Sequence, residues 1–207
     1  MSVGLDRDQV VIGADSIDDV LVSVYVAAHD AEAFVGEAIE SCLAQTHSRL
    51  EVIVVDDASS DRTAAIVESC DDPRVKLVRL DANVGPGPAR NVALDASSGE
   101  WLAVLDADDV MHPDRVRSLL EWARRHPGHE LLVDDSVRWF SDSVGAEALM
   151  HVEVADAPQV RSVAPDVWVR RHLGGKPMFR RSLLDTGVRY PDFRAGQDTS
   201  FLAQLAV

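Results

Sequence analysis

Two short segments of the chain each carry a group of aspartates. Asp56 and Asp57 directly follow one apolar run, and Asp106, Asp108 and Asp109 follow a later one. Like charges at the edge of an apolar core repel one another unless a cation or hydrogen-bond donors offset them. No histidine or cysteine pair stands at ligand spacing beside them, so a hard divalent ion with oxygen ligands fits better than zinc. The aspartates therefore predict a Mn²⁺ or Mg²⁺ site.

Each aspartate segment also has a purely structural explanation. Asp-x-Asp occurs often by chance, and Asp106 and Asp108 are compatible with a solvated turn that caps the next helix. Asp56 and Asp57 are followed by Ser59, a residue type typical of turns and helix caps. The occurrence of both segments in one chain, each at the end of an apolar run, is much less common by chance than either segment alone. The combination favours a functional interpretation.

The elements that must position these aspartates are strands alternating with helical patterns. This alternation predicts an α/β fold with a mostly parallel sheet and crossover helices. Ligands bind such sheets beyond the carboxyl ends of the strands, where both aspartate segments are expected. The apolar runs interpreted as strands are Leu21–Ala27, Glu51–Val55, Val75–Leu80, Trp101–Leu105 and Leu131–Val133.

Helical periods fill the intervals between these runs. We expect Asp30 to cap the first helix and Pro88 to open the third, after a loop rich in glycine and proline. The fourth amphipathic pattern runs from about Asp114 to Arg125. Residues 136–165 show no clear periodicity, and the chain closes in what is interpreted as an unfinished helix.

The composition is that of one ordinary globular domain. Of 207 residues, 46% are hydrophobic and 27% are charged, and the formal net charge is −15. Nucleic acids and anionic membranes bind clustered Lys and Arg, so this charge repels both, and we expect no nucleic acid partner. We expect residues 1–19 to form an acidic lead-in to a single domain at 20–207.

Three features of the chain predict a cytoplasmic protein. The first residues lack a basic segment followed by an apolar one, and no run approaches the length that a membrane span needs. The two cysteines, Cys42 and Cys70, lie in apolar helical patterns and are interpreted as core thiols in a reducing compartment.

Three stretches of the chain resemble one known enzyme family. They begin at VSVYVAAHDAEAF, at LDANVGPGPARN and at MFRRSLLDTG, and together they leave only residues 136–165 unmatched after Val22. In these stretches the chain is similar to the family 2 glycosyltransferases, whose Rossmann-like nucleotide-diphospho-sugar transferase core has the GT-A fold. The resemblance implies inverting transfer of a sugar from a nucleoside-diphosphate sugar, with UDP favoured. The implied acceptor is a hydroxyl of a carbohydrate or a lipid-linked saccharide in cell-envelope polysaccharide biosynthesis.

The resemblance also implies roles for individual residues. Asp57 would accept the imide N–H of a pyrimidine base, and Arg90 would face the base or the diphosphate, with an exposed helix arginine as the alternative. Asp108 would be the direct ligand of Mn²⁺ or Mg²⁺, and Asp198 would be the catalytic base. The other residues of the implied nucleotide-sugar site are Ala27, Ala28, His29, Asn83, Asp106 and Ala107.

The chain departs from the family pattern in three places. Ala27, His29 and Asp30 stand where the family usually has Pro and then Tyr-Asn. Gln197 replaces the Glu that usually precedes the base, which removes a negative charge beside Asp198. The family commonly continues beyond this point into segments that cover the acceptor, so we expect such segments to follow the last residue of the chain.

Three basic residues near the third stretch have two interpretations. Lys176, Arg180 and Arg181 are expected on the acceptor side, in contact with a diphosphate or an anionic acceptor. The simpler expectation is that at least two of them are solvated.

Two other functions fit parts of the sequence. The stretch VLDADDV matches the nucleophile pattern of the haloacid-dehalogenase-like phosphatases, but that family places its nucleophilic aspartate on the first strand. A sugar-nucleotide-binding module that has lost catalysis is the alternative outside the enzymes. Phosphate release from a simple monoester would favour the phosphatase, and UDP binding without turnover would favour the module.

Overall fold

The sequence folds around one central sheet. A computed structural model describes residues 16–134, 176–192 and 197–205, and the side chains of residues 133, 134, 197–199 and 202 lie outside that description. The strands are β1 Val22–Ala28, β2 Leu50–Asp56, β3 Val75–Arg79, β4 Trp101–Val104, β5 Leu131–Asp134 and β6 Lys176–Arg180. The α-helices are α1 Val35–Leu43, α2 Thr63–Glu68, α3 Pro86–Ala96, α4 Arg115–Arg125 and α5 Gln197–Leu205, with 3₁₀ helices at Ile17–Asp19 and Arg181–Thr186.

The strands are arranged in the order β3-β2-β1-β4-β6-β5. β1 to β4 are parallel, whereas β6 is antiparallel to both β4 and β5. The prediction of a mostly parallel α/β sheet is confirmed, and all five expected strands are present. β6 is an addition that the sequence pattern did not predict.

Both faces of the sheet are buried, which explains why its central strands are almost entirely apolar. Alternate residues of a strand point to opposite faces. Val24 and Val26 of β1 lie in a core shared with α1 and α4, and Tyr25 lies in the opposite core with α3 and α5. The polar side chains of the central strands β1 and β2 are therefore found near the ends of these strands.

Two helices begin at other residues than expected. Asp30 does not cap α1, which starts at Val35; instead its backbone adopts φ 48° and its carboxylate accepts a 2.7 Å hydrogen bond from the Ser60 amide. α3 starts two residues before Pro88, at Pro86, after Gly85 with φ 90°. Proline suits the first turn of a helix because the N–H that it lacks would have no acceptor within the helix there. Pro86 and Pro88 therefore both satisfy the local rule for a helix start.

Part of the expected lead-in packs on the domain. Ile17 is buried in the core beside α4, and Asp18 pairs with Arg117 at 2.8 Å. The predicted boundary at residue 20 stays a prediction, and residues 136–165 lie outside the described residues. Among the helices that the structure describes, none combines the length and the apolar character needed to cross a membrane.

Candidate functional site

The carboxyl ends of β1, β2 and β4 meet at one edge of the sheet. Two sets of polar side chains lie there. The first, which we call the Asp57 group, consists of His29, Asp57 and Asn83. The second, the Asp106 group, consists of Arg90, Asp106, Asp109 and Lys176.

Asp57 holds the loop that leads into α3. Its two carboxylate oxygens accept hydrogen bonds from the amides of Val84 at 2.7 Å and Gly85 at 2.8 Å, and the residue is buried. Gly85 has the left-handed φ of 90° in this loop, a conformation that favours glycine. A carboxylate oxygen has two lone pairs, so Asp57 retains acceptor capacity after making these bonds.

His29 and Asn83 converge on the backbone of Asp57. The imidazole Nδ1 of His29 donates to the Asp57 carbonyl oxygen at 2.8 Å, and Asn83 Nδ2 donates to the same oxygen at 3.4 Å. Because a carbonyl only accepts, Nδ1 of His29 carries a proton. The Asp57 amide donates to the Ala28 carbonyl at 2.8 Å. The structure thus brings together Ala28, His29, Asp57 and Asn83 from three separate parts of the sequence.

The Asp106 group is a chain of ion pairs. Arg90 Nη2 lies 2.6 Å from Asp106 Oδ1, and Lys176 Nζ pairs with Asp106 Oδ2 and, at 2.8 Å, with Asp109 Oδ2. Burial by itself raises the pKa of Asp106, but the charges of Arg90 and Lys176 outweigh it and lower that pKa. Burial likewise lowers the pKa of Lys176, but Asp106 and Asp109 outweigh it and raise that pKa. Asp106 and Lys176 are therefore both ionised at neutral pH.

Arg90 is an interior residue. It is only 6% exposed, and its guanidinium carbon lies 5.3 Å from the centre of the Tyr190 ring. The alternative of a solvent-exposed helix arginine is therefore wrong. Tyr190 is itself held by Tyr25, at 2.8 Å between the hydroxyl oxygens, and by stacking on Phe201 at 3.8 Å. This packing fixes the guanidinium that contacts Asp106.

The start of α3 is shaped by a close backbone contact. A side-chain carbon added at Gly87 would come within 2.4 Å of the Pro191 carbonyl oxygen, so only glycine fits there. Asn91 Nδ2 donates to the Tyr190 carbonyl, and Asn91 Oδ1 accepts from the Tyr190 amide, both at 2.9 Å. These contacts hold the segment that carries Tyr190 against the helix that carries Arg90.

Lys176 reaches this edge because β6 runs antiparallel to β4. Ala103 pairs with Met178 in the register, so the first residue of β6 lies where β4 ends. Arg115 Nη2 also donates to the Lys176 carbonyl at 2.7 Å. The sequence offered one signal for this strand, the apolar Pro177, Met178 and Phe179 between two basic residues, but three residues are too few to define a period.

The structure separates Arg180 and Arg181 from this edge. Arg180 pairs with Glu100 at 3.4 Å and lies over the Trp101 ring at the opposite end of β4. Arg181 donates to the Ser97 carbonyl at 2.5 Å. The expectation that all three basic residues lie on the same side of the site is wrong, because an extended strand of five residues spans the sheet.

Asp108 is an exposed carboxylate of the edge that has no ion pair among the described residues. It lies exposed in the turn closed by the Asp109 amide and the Asp106 carbonyl at 3.1 Å, next to the buried Ala107. Across residues 16–134, 176–192 and 197–205, no three or more His, Cys, Asp or Glu side chains form a metal-binding group. An exposed carboxylate such as that of Asp108 fits an ion such as Mn²⁺ or Mg²⁺ whose other ligands come from substrate phosphates and water.

Asp198 lies in the first turn of α5. The helix is anchored by Phe201, which packs edge-on against Phe179 at 5.5 Å and stacks on Tyr190. The side chain of Asp198 lies outside the described residues. Its role as the catalytic base stays a prediction.

Sequence comparison identifies relatives over most of the chain. The family described as "Glycosyl transferase family 2" matches residues 23–188. The succinoglycan biosynthesis protein ExoO of Rhizobium meliloti (strain 1021) is 39% identical over 197 residues, which are 91% of this chain and 56% of ExoO. The chain thus spans about half the length of this relative.

Solved structures share the fold. S. aureus TarS 1–349 in complex with UDP-GlcNAc has a TM-score of 0.70 and 25% identity, over 89% of this chain and 53% of that one. The mannosyltransferase PcManGT from Pyrobaculum calidifontis, solved with GDP-Man and Mn²⁺, has a TM-score of 0.62 and 21% identity, over 87% of this chain and 50% of that one. The prediction of the GT-A fold is confirmed, and neither the phosphatase nor the degenerate binding module is favoured.

Proposed function

Because the chain belongs to glycosyl transferase family 2, we propose that it transfers a sugar, with inversion, from a nucleoside-diphosphate sugar to an acceptor hydroxyl. The observation that carries this proposal is the meeting of the Asp57 group and the Asp106 group at the carboxyl edge of a GT-A sheet. That edge is where open parallel sheets bind nucleotides. The location in the cytoplasm stays a prediction.

UDP is the proposed nucleotide. TarS, at 25% identity, was solved with UDP-GlcNAc, which supports a uridine donor for this chain. Asp57 is buried and retains lone pairs after binding the Val84 and Gly85 amides, so its carboxylate suits the N3–H of uracil. Cytosine presents a lone pair at N3, which a carboxylate repels. Ala27, Ala28 and His29 would line the nucleoside.

The diphosphate is proposed to lie near Asp106, Ala107 and Asp108. Asp108 is the residue that would hold Mn²⁺ or Mg²⁺, and the fold likeness to a mannosyltransferase solved with Mn²⁺ supports a metal in this kind of site. When bound, the ion neutralises charge on the departing nucleoside diphosphate. Arg90 orients Asp106 through its 2.6 Å ion pair and adds positive charge to the phosphate side of the site.

The proposed reaction is one in-line displacement. The acceptor oxygen forms a bond to the anomeric carbon as the bond from that carbon to the diphosphate breaks, and Asp198 takes the proton of the acceptor hydroxyl. A single displacement inverts the anomeric configuration. The relative ExoO is named for succinoglycan biosynthesis, which supports a carbohydrate or a lipid-linked saccharide of the cell envelope as the acceptor.

Calorimetry of UDP binding with and without Mn²⁺ tests the donor site. We expect Mn²⁺ to tighten UDP binding to the unchanged chain, and Asp108→Ala to abolish this gain because it removes the free carboxylate. Asp185→Ala is the matched control, since Asp185 is exposed and lies on the 3₁₀ helix after β6. UDP affinity that is the same in EDTA and in Mn²⁺ would contradict the metal role.

The alternatives predict different products. A transferase releases UDP from a UDP-sugar only as the sugar moves to an acceptor or, slowly, to water, whereas a phosphatase releases phosphate from a simple monoester. A binding module that has lost catalysis binds UDP and releases nothing. A panel of UDP-sugars, GDP-sugars and dTDP-sugars with chromatographic detection of the free nucleotide separates these outcomes.

A further inference from the structure

A lysine of the chain neutralises part of the negative charge at the carboxyl edge of the sheet. The chain has two lysines among its 20 basic residues, Lys76 and Lys176. Lys176 pairs with two of the three carboxylates in the turn after β4, Asp106 and Asp109, and leaves Asp108 alone. Since Asp106 also pairs with Arg90, the turn is nearly neutral before any ligand arrives.

The place of the Lys176 ammonium is set by the sheet. The backbone of Lys176 is paired with β5, and its carbonyl accepts a hydrogen bond from Arg115. Its side chain is 25% exposed, whereas the Lys76 side chain is 53% exposed. The ammonium is therefore a fixed charge among the carboxylates.

A fixed ammonium weakens the electrostatic attraction between a divalent cation and the turn after β4. The cation and the ammonium repel each other at close range, and the carboxylates that would attract the cation are already paired. A bound diphosphate makes cation binding favourable, because its oxygens are ligands for the ion and its negative charge attracts both the ion and the ammonium. Metal binding should then depend on the nucleotide.

We propose that the ammonium of Lys176 keeps the divalent cation out of the nucleotide-free site. Binding of the cation then depends on the presence of the nucleoside diphosphate. This inference rests on the proposed donor site at Asp106 and Asp108. It goes beyond that proposal because it assigns the order of binding to one lysine. It also explains why the turn carries three carboxylates of which one is free.

Mn²⁺ binding without nucleotide tests the inference, with free Mn²⁺ measured by electron paramagnetic resonance. Lys176→Gln removes the ammonium and frees Asp106 and Asp109, so the Mn²⁺ affinity of the nucleotide-free protein should rise by about tenfold or more. Lys76→Gln is the matched control, because Lys76 is the other lysine of the chain and pairs with Glu51 at the far end of the sheet. It should leave the Mn²⁺ affinity unchanged.

Two further variants separate charge from fold. Lys176→Arg keeps the positive charge and should keep Mn²⁺ out as the unchanged protein does. Combining Lys176→Gln with Asp109→Asn should return the affinity toward the original weak value, because Asp109 is one of the freed carboxylates. An unchanged nucleotide-free affinity in Lys176→Gln, or an equal rise in Lys176→Arg, overturns the inference.

The Asp109→Asn variant alone keeps the inference testable where Lys176→Gln does not fold, as judged by its thermal unfolding. Asp109 is half exposed, so we expect the fold to tolerate this substitution. With Lys176 in place, we expect the nucleotide-free Mn²⁺ affinity to change by less than about twofold, because Asp109 is already neutralised. A marked loss would show that Asp109 binds the ion without the nucleotide and would overturn the inference.

The same titrations repeated with UDP distinguish this inference from the proposed function. If Mn²⁺ does not tighten UDP binding to the unchanged protein, the metal-dependent donor site is wrong whatever Lys176 does. Suppose instead that Mn²⁺ tightens UDP binding, but that without nucleotide the Lys176→Gln protein binds Mn²⁺ no better than the unchanged protein. In that case only the inference fails.

Discussion

Two clusters of the same chemical kind lie at opposite ends of the sheet. At the amino end, Glu51 pairs with Lys76 at 2.7 Å and accepts hydrogen bonds from the Ser23 hydroxyl at 2.6 Å and from the amide and hydroxyl of Ser98 at 2.6 and 2.8 Å. We call this the Glu51 cluster. At the carboxyl end, the Asp106 group also joins carboxylates to a lysine.

The two clusters differ in what they leave unpaired. In the Glu51 cluster one carboxylate meets donors from three other residues, and the group is complete without a ligand. Beside the Asp106 group, Asp108 has no hydrogen bond or ion pair with any residue that the structure describes. A closed cluster contributes to stability, whereas an open one keeps binding capacity for a ligand. Changes at the two ends should therefore affect different properties.

The largest effect is expected in catalysis, at the residue proposed as the base. Asp198→Asn keeps the shape of the side chain but cannot take a proton, so transfer should fall by about a hundredfold or more, in line with general-base contributions. UDP affinity and thermal stability should persist. Asp192→Asn, an exposed aspartate before α5, is the control. Full transfer activity in Asp198→Asn, or a loss of donor binding, would show that the base lies elsewhere.

The next effect is expected at the closed end, in stability. Glu51→Gln removes the charge that binds Lys76 and should destabilise the fold by about 2 kcal/mol, the scale of a hydrogen bond to a charged group. For a chain of this length the midpoint of thermal unfolding should fall by about 4–8 °C. Glu37→Gln, on the exposed side of α1, is the control. An altered affinity for UDP or Mn²⁺ in Glu51→Gln would contradict the claim that the two ends of the sheet control different properties.

A smaller effect is expected in base selectivity. Asp57→Ala removes the proposed acceptor for the uracil N3–H, so the preference for UDP over CDP should fall by about tenfold. The ratio of the two affinities is the measurement, because the same substitution also releases the Val84 and Gly85 amides and lowers both affinities. If the ratio is unchanged, the backbone at residues 27–29 becomes the better candidate for reading the base.

The smallest effect is expected in the pH dependence of stability. Burial raises the pKa of Glu51, but the hydrogen bonds from Lys76, Ser23 and Ser98 outweigh it and hold that pKa at about 2, below the ordinary 4.5. The stabilisation is therefore complete above pH 4.5 and is lost as the pH falls toward 2. Between pH 7 and pH 4 the loss should be about 1 kcal/mol or less.

Urea unfolding at pH 7 and at pH 4 measures this loss. Glu51→Gln has no carboxylate at this position, so its free energy of unfolding should fall less between the two pH values than that of the unchanged chain. An equal fall in both proteins would show that Glu51 does not contribute to the acid sensitivity.

The strands were predictable because burial on both faces leaves a strong local signal. β1 and β2 read as continuous apolar runs in the sequence, and both ends of each run were placed within about one residue of the observed strand. The first turns were less predictable. Asp30 and Pro88 both obey the local rules for a helix start, but Asp30 instead accepts a hydrogen bond from the Ser60 amide, and α3 starts at Pro86.

The site was predictable to the extent that its residues follow strand ends. Asp57 and Asp106 stand directly after, or one residue past, apolar runs, and the parallel order of the sheet brings them to one edge. Arg90 was placed in the right helix, but its burial depends on Tyr190, which is a hundred residues away in the sequence. No local pattern reports such a contact.

The sequence by itself determined the α/β class, five of the strands and the aspartates at the ends of two of them, because these features depend on hydrophobic patterns within a few residues. Only the tertiary structure decided which charges neutralise one another. β6 is short, its pattern is weak, and its direction is set by pairing with β4 and β5 rather than by its own residues. Because it runs antiparallel, its first residue, Lys176, meets the aspartates that follow β4, and its last residue, Arg180, lies at the other end of the sheet.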